Sequence, residues 1–152
     1  MLQQNMNVPL ETRHSLVHLY WRETWQGQWR RFFDWLLRRS PRLETLHSEE
    51  SASLVRTYAG LKDVPIDAIR GSEERAPAFD RTFHPIGERP RQRWISIAEA
   101  RLHGTPMPPV QLTEKDGRYY VRDGHHRISV AHALGEAFIE AEVVRIQTSN
   151  LR

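Results

Sequence analysis

Val110-Gln-Leu-Thr-Glu-Lys-Asp-Gly-Arg-Tyr-Tyr-Val-Arg-Asp-Gly-His-His-Arg-Ile-Ser-Val-Ala131 lays three elements end to end. Residues 110–114 alternate apolar and polar as a half-buried strand does. Asp116-Gly117 is a hairpin turn, and residues 118–122 alternate back. A short helix is predicted from about residue 126 to 134, closed by Gly135. A third strand, rich in Val and Ile, follows over 138–146.

Strand and helix meet at Asp123-Gly124-His125-His126-Arg127. A helix N-terminus presents unpaired backbone N–H groups and a partial positive charge. Gly124 carries no side chain to obstruct an approaching phosphate, so the amides that follow can face it. Arg127 can add a guanidinium fork, and His125 or His126 can donate a hydrogen bond or shuttle a proton. The plainer alternative is that Asp123 caps the helix, Gly124 eases a turn and the histidines are exposed.

Working outward, residues 93–103 have helical spacing in Trp94, Ile97, Ala98, Arg101 and Leu102, with Gly104 at the C-terminal end. Pro106, Pro108 and Pro109 forbid continuation. Residues 61–92 hold Pro65, Gly71, Pro77, Pro85, Gly87 and Pro90, with only 64–69 alternating like a short strand. A stretch of this length and composition reads as a functional loop over a site. Residues 9–39 form one long helix, in which Trp21, Trp25, Trp29, Phe32 and Leu36 fall on one side and Arg13, Arg31 and Arg38 on the other. Gly27 is its weak point, costing about 1 kcal/mol against alanine. Ser40-Pro41 reads as a cap and first turn, and a second helix is expected from about 48 to 58, stopping at Gly60. The aromatic stripe is expected to be buried, on the chain's own sheet or across a homodimer.

The 152 residues suit one well-filled core, with 39% hydrophobic and 27% charged residues. The fold class is α+β: an N-terminal helical extension over 1–61, then a small mixed β-sheet with short helices over 62–152. With no cysteine there is no disulfide framework, thiolate nucleophile or Cys-based zinc site. The apolar run 32–37 is short and interrupted by Asp34, so no membrane span is expected. Met1-Leu2-Gln3-Gln4-Asn5 has neither a basic start nor an apolar run. No secretory signal is expected, and a cytoplasmic location is the default. Lys+Arg number 22 against 19 Asp+Glu, a net charge of +3 that is small for a duplex-DNA binder. Only Lys62 and Lys115 are lysines, and arginine suits bidentate contact with phosphate or carboxylate. His14 and His18, four apart on the first helix, could hold a metal from one face but lack a further ligand at useful spacing. Asp80-Arg81 and residues 89–93 could close over a phosphate or form a surface salt-bridge cluster.

The stretches 108–112 and 119–131, with Val64-Pro65-Ile66-Asp67-Ala68-Ile69-Arg70 upstream, resemble the core of the ParB/sulfiredoxin superfamily. The resemblance spans about residues 62 to 146 and is strongest from Pro108 onward. Its branches include ParB amino-terminal domains, sulfiredoxins and archaeal free-serine kinases. It implies a strand, a glycine-containing turn and a helix-start arginine that hold nucleotide phosphates, here Asp123, Gly124, His125, His126 and Arg127. The sulfiredoxin reaction needs a cysteine in the motif and is excluded. Residues after 146 leave no room for the DNA-reading domain of ParB, so weak or no DNA binding is expected. The resemblance to free-serine kinases places an acidic residue near Glu73 and Glu74. It implies a nucleoside di- or triphosphate with Mg2+ as ligand and, if catalytic, phosphoryl transfer or nucleotide hydrolysis with His126 or Glu74 as base. The rival is a non-catalytic DNA- or protein-binding module. Nuclease activity, often attached to this superfamily, lacks an acidic metal cluster here.

Overall fold

A computed structural model describes residues 10–40, 42–46 and 54–148. Among the described residues three α-helices and six strands follow one another: α1 (Leu10–Leu36), β1 (Glu44–Thr45), β2 (Leu54–Pro65), β3 (Ile69–Ser72), α2 (Arg91–Leu102), β4 (Val110–Lys115), β5 (Arg118–Asp123), α3 (His125–Ala133) and β6 (Phe138–Thr148). The strands make one mixed sheet in the order β1-β3-β5-β4-β6-β2. β4 and β5 are the antiparallel hairpin expected from Asp116-Gly117. Both turn residues have positive φ, 52° and 75°, the geometry that matches the right-handed twist of the flanking strands. The fold is thus α+β, an N-terminal helix followed by a mixed sheet with further helices.

The core lies where α2 and α3 meet the sheet. Trp94, Ile95 and Ala98 of α2 and Ile128, Val130 and Ala131 of α3 are buried, as are Val110, Leu112, Val121, Ala141 and Val143 of the strands. Trp94 is wholly buried, and its indole N–H donates to Ser129 Oγ at 2.9 Å, so the polar end of the ring is satisfied inside the core. α1 packs against α2, with Tyr20 edge-on to Trp94 at 5.4 Å between ring centroids.

Two expectations for the N-terminal part need correction. The helix expected over 48–58 is not formed where it can be seen: Leu54 to Tyr58 is the start of β2, paired antiparallel with β6 from Leu54↔Thr148 onward. Residues 48–53 lie outside the described residues. The segment is rich in β-favouring residues, and the long Val/Ile strand β6 offers it a ladder that local helix propensity cannot match. The division at residue 61 accordingly falls inside β2, and the strand expected over 64–69 is the end of β2, a 3₁₀ turn at Ile66–Ala68 and the start of β3. Of the expected cap at Ser40-Pro41, Pro41 lies outside the described residues; Arg42 forms a bridge with Asp80, and Glu44 and Thr45 form β1.

The second correction concerns which side of α1 is inside. Trp25, Trp29, Phe32 and Leu36 are more than half exposed, and Trp21 is half-buried. The buried side is the opposite one, carrying Leu16, Tyr20, Glu23, Thr24, Gly27 and Asp34. The stripe is therefore not buried on the chain's own sheet. No helix among the described residues is long and apolar enough to cross a membrane.

Candidate functional site at the start of the third helix

β5 hands over to α3 through Gly124, whose φ of 108° and ψ of 22° place it in left-handed backbone space. Glycine is needed there twice over. A Cβ would also lie 2.6 Å from Val110 Cγ1 and 3.2 Å from Arg127 Nη2. No side chain caps α3. Asp123, which could have done so, instead accepts from Arg127 Nη2 at 2.7 Å. The alternative of an aspartate-capped helix end is thus not what forms.

Arg127 is more committed than its sequence position suggests. Its Nη1 donates to the carbonyls of Pro109, at 2.9 Å, and of Pro108, while Nη2 holds Asp123. The guanidinium pins the proline-rich approach to β4 against the start of α3. Its side chain is only 13% exposed.

Both histidines meet the Phe79 ring. His125 stacks on that ring with planes 14° apart, and His126 meets it edge-on at 5.0 Å. His125 Nε2 lies 2.7 Å from Ser72 Oγ. The Ser72 hydroxyl donates to the Val121 carbonyl at 3.1 Å and accepts from the Glu74 amide at 3.3 Å. With its only proton so used, Ser72 accepts from His125 Nε2–H, and the imidazole presents Nδ1 as a lone pair. Burial lowers the His125 pKa, opposed by the charges of Asp123 and Glu74. Burial first, then the charges of Arg93 and His125, lowers His126 to about 4. Burial and Arg93 therefore keep His126 neutral near pH 7.

Glu74 is exposed, with its carboxylate close enough to act on His125. Its neighbour Glu73 accepts from Thr113 Oγ1 of β4 and from Arg56 Nη1 of β2, the latter at 3.3 Å. Phe79 connects the turn to a cavity of about 540 Å³ whose lining includes Arg31, Arg42 and Arg75. The structure brings together all five residues of the motif and Glu74. It adds Ser72 and Phe79, which nothing in the local sequence pattern marks, and from the 89–93 stretch it brings the charge of Arg93 to His126.

Among solved structures the chain is similar to a crystal structure of sulfiredoxin from Arabidopsis thaliana. Identity is 21%, over 55% of this chain and 82% of that one, with a TM-score of 0.39. No protein-family model and no curated protein matches the chain.

The remaining candidates lie elsewhere. His14 and His18 are exposed on α1. Arg81 forms a bidentate pair with the buried Asp34 of α1, both contacts at 2.8 Å. Asp80 is buried and accepts from the Thr82 and His84 amides at 2.9 and 3.0 Å. Asp80-Arg81 is therefore neither a phosphate clamp nor a surface cluster. It is the joint between the 79–85 loop and α1.

Proposed function

We propose that the turn from Gly124 to Arg127 binds the phosphate of a nucleoside di- or triphosphate, and that the chain is a nucleotide-dependent phosphotransferase or hydrolase. The observation that carries this reading is the uncapped N-terminus of α3, whose neighbour in sequence, the carboxylate of Asp123, is drawn off by Arg127. The likeness of the motif to the ParB/sulfiredoxin superfamily supports it. The amides of His125 and His126 would cradle phosphate oxygens, and Arg93, exposed in the first turn of α2, would supply the free guanidinium. Arg127 would act chiefly by holding the turn in shape.

His126, neutral and half-buried, suits a hydrogen bond to phosphate or acceptance of a proton from an attacking hydroxyl. His125, with Nδ1 free and Glu74 nearby, is a second base candidate. Magnesium, when bound with the nucleotide, neutralises phosphate charge. Glu74 is the exposed oxygen donor of the kind that ion takes, Asp123 being committed to Arg127.

A thermal-shift panel of ATP, ADP, CTP and GTP, with and without magnesium, tests the reading. At least one nucleotide is expected to raise the melting temperature. Arg93→Ala is expected to weaken that nucleotide about tenfold, the equivalent of ~1.4 kcal/mol. No shift with any of the four would overturn it. A second reading, a non-catalytic partner-binding module, is favoured by one observation, the exposed aromatic side of α1.

A further inference from the structure

Three side chains from three elements converge away from the nucleotide turn. Glu23 of α1, His84 of the loop before α2 and His132 of the last turn of α3 place one ligating atom each within 4.8 Å of one another. Glu23 and His84 are 5% and 3% exposed, and His132 is half-buried. The His84 and His132 rings lie 5.3 Å apart.

The hydrogen bonds around His84 decide which nitrogen points where. Thr82 Oγ1 donates to Asp80 Oδ1 at 2.9 Å and lies 2.7 Å from His84 Nδ1. Having given its proton to Asp80, the hydroxyl can only accept from Nδ1–H. In the neutral imidazole Nε2 is then the lone-pair nitrogen, and it lies 3.5 Å from Glu23 Oε2. A lone pair facing a carboxylate oxygen in a buried site is repulsive unless a proton or a metal ion sits between them. The separation is also the one that two ligands adopt around a tetrahedral ion with bonds of about 2.0–2.1 Å. Asp80, 3.5 Å from Nδ1, stands where an outer carboxylate orients a metal-bound histidine. The two buried carboxylates face different nitrogens of His84, and the exposed Arg22 reaches Glu23 Oε1, at 3.6 Å, leaving Oε2 to the histidine side.

We propose that Glu23, His84 and His132 form a site for a first-row divalent metal of the zinc class, independent of the nucleotide turn. Two imidazoles and one carboxylate are a donor set that zinc accepts. His132 and Thr82 line a cavity of about 910 Å³ that also holds Arg42, Arg70 and Arg81. A fourth coordination position on that side would take water or a small anion. The site also gives the polar buried face of α1 a purpose: the metal would fasten the helix to the 79–85 loop and to α3.

The test uses the full chain stripped with a chelator and titrated with Zn(II) by calorimetry, then with Co(II) by absorption. One equivalent is expected to bind with a Kd on the order of 1 µM or tighter, with Co(II) bands of four-coordinate intensity. Glu23→Gln and His132→Gln, with folding checked by circular dichroism, are expected to weaken zinc at least tenfold each. The double variant H14A/H18A, on the exposed face of α1, is expected to bind as wild type. Should a ligand variant fail to fold, the wild-type stoichiometry and Co(II) spectrum still decide. Absence of saturable one-to-one binding overturns the proposal. So does wild-type affinity in both ligand variants, or loss of the site in H14A/H18A.

Discussion

Gly27 shows how far a single residue can depart from its intrinsic propensity. In an exposed helix, Gly→Ala gains about 1 kcal/mol. Here a Cβ would come within 2.9 Å of His84 Cβ and 3.1 Å of Asp80 Oδ2, so α1 can approach the loop only because residue 27 has no side chain. Gly27→Ala is therefore expected to destabilise by about 1–3 kcal/mol in urea unfolding, the usual cost of overpacking. Arg127 carries a comparable surprise. Its guanidinium holds Pro108, Pro109 and Asp123, so Arg127→Ala is expected to lose about 1.5–3 kcal/mol of stability along with nucleotide affinity. A variant with unchanged melting behaviour would show that the brace contributes nothing. His126 gives a pH signature. Its folded pKa of about 4 lies below the ordinary 6.5, so the unfolded chain takes up the proton first as the pH falls. The stability it contributes is full above pH 6.5 and is lost as the pH falls through about 4. Denaturation midpoints followed over that window should drop more steeply in wild type than in His126→Gln.

At the scale of elements, the chain was most legible where local signals agreed. Asp116-Gly117, the alternation on either side of it, Gly104 and Gly135 located β4, β5 and the ends of α2 and α3 within a residue or two. The motif at Gly124 was likewise local, and its residues do come together. α1 was legible as a helix but not in its orientation. Periodicity finds an apolar side and assigns it inward, whereas the inward side is fixed by partners far along the chain. Asp34 meets Arg81 at 2.8 Å, and Glu23 faces His84 at 3.5 Å. Arg13, on the side expected to be exposed, reaches Glu99 of α2 at 3.3 Å. Ser72 and Phe79 are marked by no local pattern for the same reason, since each joins the site only through tertiary packing. The Asp34–Arg81 pair permits a direct test. Asp34→Ala strands a partly exposed arginine, so a loss of about 2 kcal/mol is expected, below the range for a fully buried pair. Arg81→Ala in the same background should add much less than it does alone, because the contact has already gone.

For the whole molecule, four of the five tryptophans divide into two populations, with the half-buried Trp21 between them. Trp94 is wholly buried where α2 meets α3 and the sheet. Trp25, Trp29 and Trp35 are 59%, 59% and 71% exposed along α1. The hydrophobic effect that orders the core thus makes little use of most of the chain's indole surface. Replacing Trp94 by alanine removes a large core side chain and the hydrogen bond to Ser129, and is expected to cost about 3–5 kcal/mol. Replacing Trp29 by alanine removes mostly exposed surface and one edge contact with Phe32, so its cost in a dilute, monomeric sample should stay within about 0.5 kcal/mol. The homodimer expected through this helix makes a different prediction at higher concentration. Association coupled to folding raises the melting temperature with protein concentration, and Trp29→Ala would abolish that rise while leaving the dilute midpoint in place. Thermal melts of wild type and Trp29→Ala across a wide concentration range therefore separate a face used between copies from one left open. A large loss for Trp29→Ala at the lowest concentration would contradict the orientation of α1 itself, because the ring would then have to be packed within its own chain.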